Sequence, residues 1–448
     1  MSLEALLQSA DATVDELVEL HRDLVRFPTV NSGVMPTGNE TPCAEYLASL
    51  LRAERVEAAV LADEPTRGNL TASLGQGRPR LLWMAHLDVV PPGDETDWTH
   101  PPFAAALVDG WVYGRGSNDC KGLAAPMVHA LRLLARAGWS NTGQVKLVCG
   151  ADEETGGRYG FGYLAREHPE CLAAELAINE GGGSPLADGG GPLFLAAPGE
   201  KGRYEAVVTL HGRSEHASMP WLADNPLPRL AEVLARLESY QAEVYLTDAA
   251  RVLLEQLGAA PQAGLAELAT TLANPALPVA DAARLRALTQ MTCTPTMVAG
   301  GIKSNAIPNR VELRLDIRAL PHQDPGHAEA ELRALLAGIA GLEMRLEPTA
   351  LPSATPWSPA LRAVLERALH AAGVAGARVA PTLCSGFTDA RLVRPLGVPV
   401  VGFAPLPPET EVGRCGCHNV DEQFPVAALW YRTRFLLALA WNFCADGG

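Results

Sequence analysis

The sequence predicts an α/β protein in which a mainly parallel-sheet domain is interrupted by a smaller α+β domain, and three observations predict it. Up to Gly202, short apolar runs alternate with helical stretches. Beyond it, apolar and charged residues begin to alternate one by one, and from Ser358 the first rhythm returns. Strands alternating with helices build a parallel sheet covered on both faces, whereas a two-residue period marks strands with one wet face. A chain of 448 residues also exceeds what one core usually holds. The expected division is 1–202 and 351–448 for the two parts of the larger domain, with 203–350 as the insert.

Met1–Arg26 carries Leu17, Val18, Leu20 and Leu24 among Asp11, Glu16, Glu19 and Asp23, the pattern of an amphipathic helix. It lacks the basic start and apolar run of a signal peptide. Leu81–Ala85 reads as a buried strand opening into His86 and Asp88. Cys120–Ala137 sets Leu123, Met127, Ala130, Leu131 and Leu134 at helical spacing, with Pro126 in its early part, where a helix tolerates proline best. Gln144–Gly150 and Leu176–Asn179 read as further buried strands. In the insert, Tyr204–Leu210 and Val311–Ile317 alternate as half-exposed strands, with Arg310, Glu312, Arg314 and Asp316 on the wet side of the second. Pro226–Leu237 and Glu329–Ile339 read as helices and Leu342–Leu346 as a short strand; one further strand has no clear place. Residues 247–290, rich in Ala and Leu, add helices, and the last element is a helix over Pro425–Trp441.

With 48% hydrophobic and 19% charged residues the composition is that of a globular chain. A net charge of −15 repels a nucleic-acid backbone or an anionic membrane, so neither is an expected partner. No stretch approaches the roughly 20 apolar residues of a membrane span. Nine scattered cysteines do not form a disulfide framework, and a reducing cytoplasm is the expected compartment.

Chemistry concentrates in five motifs after strands or at loop ends, where open α/β sheets bind ligands. The first is His86-Leu87-Asp88, whose alternation points both polar side chains to one side, so Asp88 can orient the imidazole. The second, Gly114 to Gly122, brackets Asp119 with glycines and lacks the spacing of a phosphate loop. The third is Asp152-Glu153-Glu154, crowded carboxylates that are costly at an apolar strand end unless a cation or proton compensates them. Glu180 before three glycines is the fourth, and His418 before the last helix is the fifth. Each alone has a plain structural alternative: a helix cap for Asp119, solvated turns for the glutamates, a surface loop for His418. Together they offer oxygen and nitrogen ligands that suit zinc, cobalt or manganese. Cys415 and Cys417 beside His418 have no second pair at finger spacing and read as packing or loop residues.

At this point the sequence resembles the aminoacylase, carboxypeptidase and succinyl-diaminopimelate desuccinylase family of dinuclear zinc hydrolases. The matching strings are His86 to Pro91, Gly114 to Gly122, Glu153-Glu154, Glu180-Gly181, His216 to Pro220, Asn305 to Pro308, Asp316 to Arg318, Thr388 to Arg391, and His418 with Glu422, in the family's order over nearly the whole chain. The resemblance implies that Asp119 bridges two divalent metal ions, with His86 and Glu180 completing one site and Glu154 and His418 the other. It makes zinc the metal, with cobalt or manganese as alternatives. Glu153 becomes the general base and Asp88 the support of His86. His216, in a lid domain through which such enzymes form homodimers, would stabilise the oxyanion in the partner's active site. Asn305, Arg318, Thr388 and Arg391 would hold substrate, although Arg318 reads equally as one half of a strand-end ion pair. A cis peptide between Asp119 and Cys120 is also implied. The sequence departs from many relatives at Glu215, where a small residue is usual, and in the long 247–290 segment.

The expected activity is hydrolysis of an amide or peptide bond next to a carboxylate, in a dipeptide, a C-terminal peptide bond or an N-acyl amino acid. An N-succinyl or N-acetyl diamino acid is the alternative substrate. A binding protein that kept the fold and lost turnover is the alternative of another class, against which the complete ligand set and Glu153 argue.

Overall fold

The structure, a computed structural model, describes residues 2–139, 143–186, 191–256, 258–259, 264–277 and 279–445. The chain divides into two compact units: Met1–Pro198, Thr355–Thr382 and Thr388–Gly448 form the first, and Gly199–Ala354 with Leu383–Phe387 the second.

The first unit is built on a sheet with a parallel centre. Strand Arg78–His86 runs parallel to Gly143–Gly150 on one side and to Leu176–Asn179 on the other, and Val400–Gly402 continues the parallel run. Antiparallel strands close the margins: Asn69–Leu74 and Glu57–Leu61 at one edge, Leu193–Glu200 at the other. The central strand is apolar without alternation because both its faces are covered. Leu81 and Trp83 pack with Leu131 and Leu436 in one core, while Leu82 and Met84 pack with Phe161 and Leu164 in another.

Helix Lys121–Arg136 is buried along nearly its whole length and carries Pro126 inside it. Proline has no N–H to give the carbonyl four residues back, which is that of Gly122. Arg432, from the terminal helix Val426–Ala445, donates to this carbonyl at 2.8 Å and so replaces the missing helical bond. The single N-terminal helix expected from the sequence is in fact two, Leu3–Ala12 and Val14–Arg26. They meet at Thr13, whose hydroxyl bonds back to the Ser9 carbonyl at 2.8 Å and lies 3.0 Å from His129 Nε2. A side chain that competes for helical carbonyls favours such a break.

The second unit holds a four-stranded antiparallel sheet in the order Thr292–Gly300, Arg310–Ala319, Gly202–His211, Leu342–Ala350. One face, with Val208, Leu313, Leu315 and Ile317, packs with Val233 of helix Leu227–Ser239 and Leu332 of helix Pro325–Leu335. The other face carries half-exposed charges, among them Arg314 paired with Glu205 at 2.6 Å. Thr292–Gly300 is the strand the sequence does not reveal. It is an exposed edge, holds Pro295 and slips register between Pro295 and Met297, so no alternating burial marks it. Helices Asp248–Gln256, Leu265–Ala273 and Val279–Thr289 occupy the 247–290 segment, of which residues 257, 260–263 and 278 lie outside the described residues. Among the described residues no helix is long and apolar enough to cross a membrane.

Candidate functional site

The parallel centre of the first unit gathers the acidic motifs at one end of the sheet. His86 closes its strand level with Gly150, so the turn Glu153–Thr155 emerges beside it, and Glu180 follows Asn179 at the end of the neighbouring strand. Asp119 precedes helix Lys121–Arg136, and the Asp119–Cys120 peptide is cis. The backbone around Asp119 is held by a residue far away in sequence. Glu422 Oε1 accepts the N–H groups of Asn118 and Asp119 at 2.9 and 3.0 Å. Its Oε2 accepts Gly116 N at 3.0 Å and Arg115 Nη1 at 2.6 Å.

The two oxygens of Asp119 then face two different groups. Oδ1 is 3.0 Å from His86 Nε2, which is itself 3.6 Å from Glu180 Oε1. Oδ2 is 3.2 Å from His418 Nε2, which is 3.3 Å from Glu154 Oε1. Cys417 also reaches this side: its Sγ is 2.9 Å from Asp119 Oδ2. Of the two cysteines read as packing or loop residues, Cys415 is buried and Cys417 is exposed in the loop, with its thiol on Asp119.

Asp88 lies behind this arrangement and does more than orient a ring. Its Oδ1 is 3.4 Å from His86 Nδ1, and the same ring nitrogen is 3.0 Å from the Asp88 carbonyl. Its carboxylate accepts the N–H groups of Glu153 and Glu154 at 3.0 and 3.1 Å, and the Asn31 amide at 2.9 Å. One buried carboxylate thus fixes both the histidine and the turn bearing the two glutamates.

A further buried layer holds that turn from below, and nothing local in the sequence announces it. Arg67 makes a two-pronged pair with Glu40 at 2.8 and 2.9 Å and reaches Asp152 Oδ1 at 3.2 Å. Asp152 itself sits at φ 69°, the left-handed region that Asp tolerates better than most residues. Because Arg67, Glu40 and Asp152 are all buried, Arg67→Met strands two carboxylates without their cation. The expected loss is about 3–5 kcal/mol of unfolding free energy, read by chemical denaturation. Arg67→Met combined with Glu40→Gln should cost less than the sum of the two single changes.

The electrostatics show a group short of positive charge. Burial, together with Glu180, Asp389 and Glu154, pushes Glu153 well above the usual carboxylate range. Burial, with Asp119, Glu154 and Asp389 nearby, does the same to Glu180, and burial raises Glu154 against the opposing bond from His418. Burial would raise Asp119 as well, but hydrogen bonds from His418 and His86 outweigh it and hold this carboxyl well below its ordinary value. Hydrogen bonds to Asp119 and Glu154 raise His418 to about 10. Asp389, which the sequence places within the Thr388 to Arg391 string without a role, is buried with neither carboxyl oxygen hydrogen-bonded, and burial pushes it up to about 7. Crowded, buried carboxyls of this kind call for compensating positive charge, which a cation supplies.

The four residues expected to hold substrate, and His216, fall outside this group of ligands. Thr388 Oγ1 accepts from Asn179 Nδ2 at 3.0 Å, next to Glu180, and Arg391 Nη2 donates to the Gly156 carbonyl at 2.8 Å. His216, Asn305 and Arg318 belong to the second unit. There the exposed His216 Nδ1 is 2.7 Å from Ser218 Oγ, its backbone N–H bonds the Glu215 carboxylate at 2.8 Å, and the Asn305 carbonyl accepts Ala217 N at 3.0 Å. Arg318 is in an ion pair with Asp316 at 2.7 Å, the strand-end pairing weighed from the sequence.

Comparison with known proteins adds an independent line. A family model described as peptidase family M20/M25/M40 matches residues 82–442. Succinyl-diaminopimelate desuccinylase of Xanthomonas oryzae pv. oryzae (strain MAFF 311018) is 28% identical over 432 residues, covering 93% of this chain and 96% of its own. A probable succinyl-diaminopimelate desuccinylase of Staphylococcus aureus (strain MRSA252) is 26% identical over 332 residues, covering 74% of each chain. Among solved structures, an M20 family metallo-carboxypeptidase from Sulfolobus solfataricus superposes with a TM-score of 0.72 at 21% identity, covering 95% of this chain and 98% of its own.

Proposed function

The chain belongs to the peptidase family M20/M25/M40, and on that premise we propose that it is a two-cation hydrolase of an amide or peptide bond adjacent to a carboxylate. The observation that carries this is the approach of His86 and His418 to the two different oxygens of Asp119, each histidine with a glutamate, Glu180 or Glu154, 3.6 or 3.3 Å from it. The donor set fits divalent cations, because burial and mutual repulsion push the crowded carboxyls of Glu153 and Glu180 up, a strain that bound positive charge relieves. His86, Glu180 and Asp119 would hold one ion, and Glu154, His418 and Asp119 the other. Bound there, such ions lower the pKa of water and polarise a carbonyl. Zinc is our reading, with cobalt or manganese as alternatives.

The protein's own groups supply the proton traffic. Glu153 takes a proton from the attacking water and returns it to the nitrogen of the departing amine. Asp88 keeps Glu153 in position through the backbone N–H. His216 is our proposal for the donor that stabilises the oxyanion. Asn305, Arg318, Thr388 and Arg391 are our proposed substrate contacts; for Arg318 this requires that a substrate carboxylate compete with Asp316.

Dipeptides, C-terminal peptide bonds and N-acyl amino acids are the substrates we favour. The names of the curated relatives favour a second reading, an N-succinyl or N-acetyl diamino acid. We also propose a homodimer formed through the second unit, supported by the open edge strand Thr292–Gly300 and the exposed Met297, Val298 and Ile302. A cytoplasmic location is our reading, supported by nine scattered cysteines with free thiols.

The test is hydrolysis of a mixed panel of dipeptides, N-acyl amino acids and N-succinyl diamino acids by protein stripped of metal and then given zinc, cobalt or manganese. Cleavage restored by metal establishes the reaction class and ranks the substrates. Two bound ions with no cleavage across the panel would favour a binding protein on the same fold.

A further inference from the structure

Building on the two-cation reading, we propose that Cys417 is a sulfur ligand of the His418-side ion and makes that position select zinc or cobalt over manganese. Three donor types meet there: the ligand atoms of Asp119, Cys417 and His418 all lie within 4.8 Å of one another. Cys417 Sγ and His418 Nε2 approach the same oxygen, Asp119 Oδ2, at 2.9 and 3.2 Å, while Oδ1 turns to His86. Consecutive side chains in extended backbone point to opposite faces. Here Gly416 and His418 adopt φ values of 63° and 62°, and this left-handed loop brings both side chains onto one carboxylate. The thiol lines a cavity of about 260 Å³ together with Asp119 and Glu180, so it shares open space with the ligands.

The consequence is an asymmetric pair of positions. On the His418 side Asp119, His418 and Cys417 form one close group, and Glu154 Oε1 lies 3.3 Å from His418 Nε2 as the fourth donor of a closed set. The His86 side has His86, Asp119 and Glu180, which leaves room for water or substrate. Cys120 Sγ also lies within 4.8 Å of the ligand atoms of that second group, so Cys120→Ser is the arm that tells which cysteine carries the sulfur signal. On coordination the Cys417 S–H bond breaks, a sulfur–metal bond forms and the proton passes to solvent. Thiolate is a soft donor that suits zinc and cobalt, whereas oxygen donors suit manganese.

The experiment loads metal-free full-length protein with cobalt(II) and records bound cobalt per chain alongside the near-ultraviolet sulfur-to-cobalt charge-transfer absorption. The expected result is two cobalt ions and a clear band in the wild type and in Cys120→Ser. Cys417→Ser should lose the band, bind one of the two ions about tenfold or more weakly, and show a narrower preference for zinc over manganese in competition dialysis. Two bound ions without a band, or a band that survives Cys417→Ser, overturns the assignment and leaves the two-cation reading standing. A wild type that binds no cobalt overturns both.

Discussion

A Glu153→Gln enzyme is expected to lose about 10²–10⁴-fold in kcat while still binding two divalent ions per chain. Glutamine keeps the shape of the side chain and can still hydrogen-bond, but it cannot take a proton. The backbone of the turn is independent of the change, because Asp88 holds the N–H of residue 153 at 3.0 Å. In the two-cation reading Glu153 is the base and not a ligand, so metal content should not follow activity. Burial and the neighbouring Glu180, Asp389 and Glu154 push this carboxyl up. The base must be ionised to accept a proton, so wild-type kcat/KM should rise with pH through an acid limb set by this carboxyl, which bound cations draw down from where burial alone puts it. The variant's residual rate should lack that limb. Measurement of kcat, its pH profile and metal by atomic emission decides the matter. Loss of an ion would make Glu153 a ligand, and near-normal turnover would remove it from the chemistry altogether.

The parts of this site that could be read from sequence are those whose signal is local. His86 and Glu180 announce themselves because apolar strands run straight into them, and strand ends are where such sheets present polar groups. The charged alternation of Arg310–Ala319 shows one wet face for the same reason. What is hidden depends on partners distant in the chain. Glu422 organises the backbone of Asp119 across some 300 positions, and Arg67 reaches Asp152 across 85, with no spacing that links either pair. The edge strand Thr292–Gly300 is hidden differently, since an exposed strand with an internal proline leaves no burial period to detect. Cys417 looks like an ordinary loop residue until the left-handed turn at His418 folds it back onto Asp119. The antiparallel margins of the large sheet are likewise invisible, because Asn69–Leu74 includes Asn69 and Ser73, which resemble loop composition.

Asp119→Ala should be the most damaging change to the metal centre, lowering bound metal from two ions to fewer than one and abolishing measurable turnover. Removing a group that merely orients a ligand costs roughly 10–100-fold in metal affinity, and a shared ligand should cost more at both positions. The geometry makes the loss double: Oδ1 faces His86 and Oδ2 faces His418, so one truncation opens both groups at once. His86→Ala and His418→Ala each remove a donor from one side only and should each leave about one ion per chain. Residues that act as a unit are strongly non-additive. Asp119→Ala combined with His418→Ala should therefore bind no less metal and show no lower activity than Asp119→Ala alone. Equilibrium dialysis of the four proteins against zinc tests the pattern. If Asp119→Ala keeps one tightly held ion, its two oxygens do not serve two positions. The centre would then consist of independent sites rather than a bridged pair.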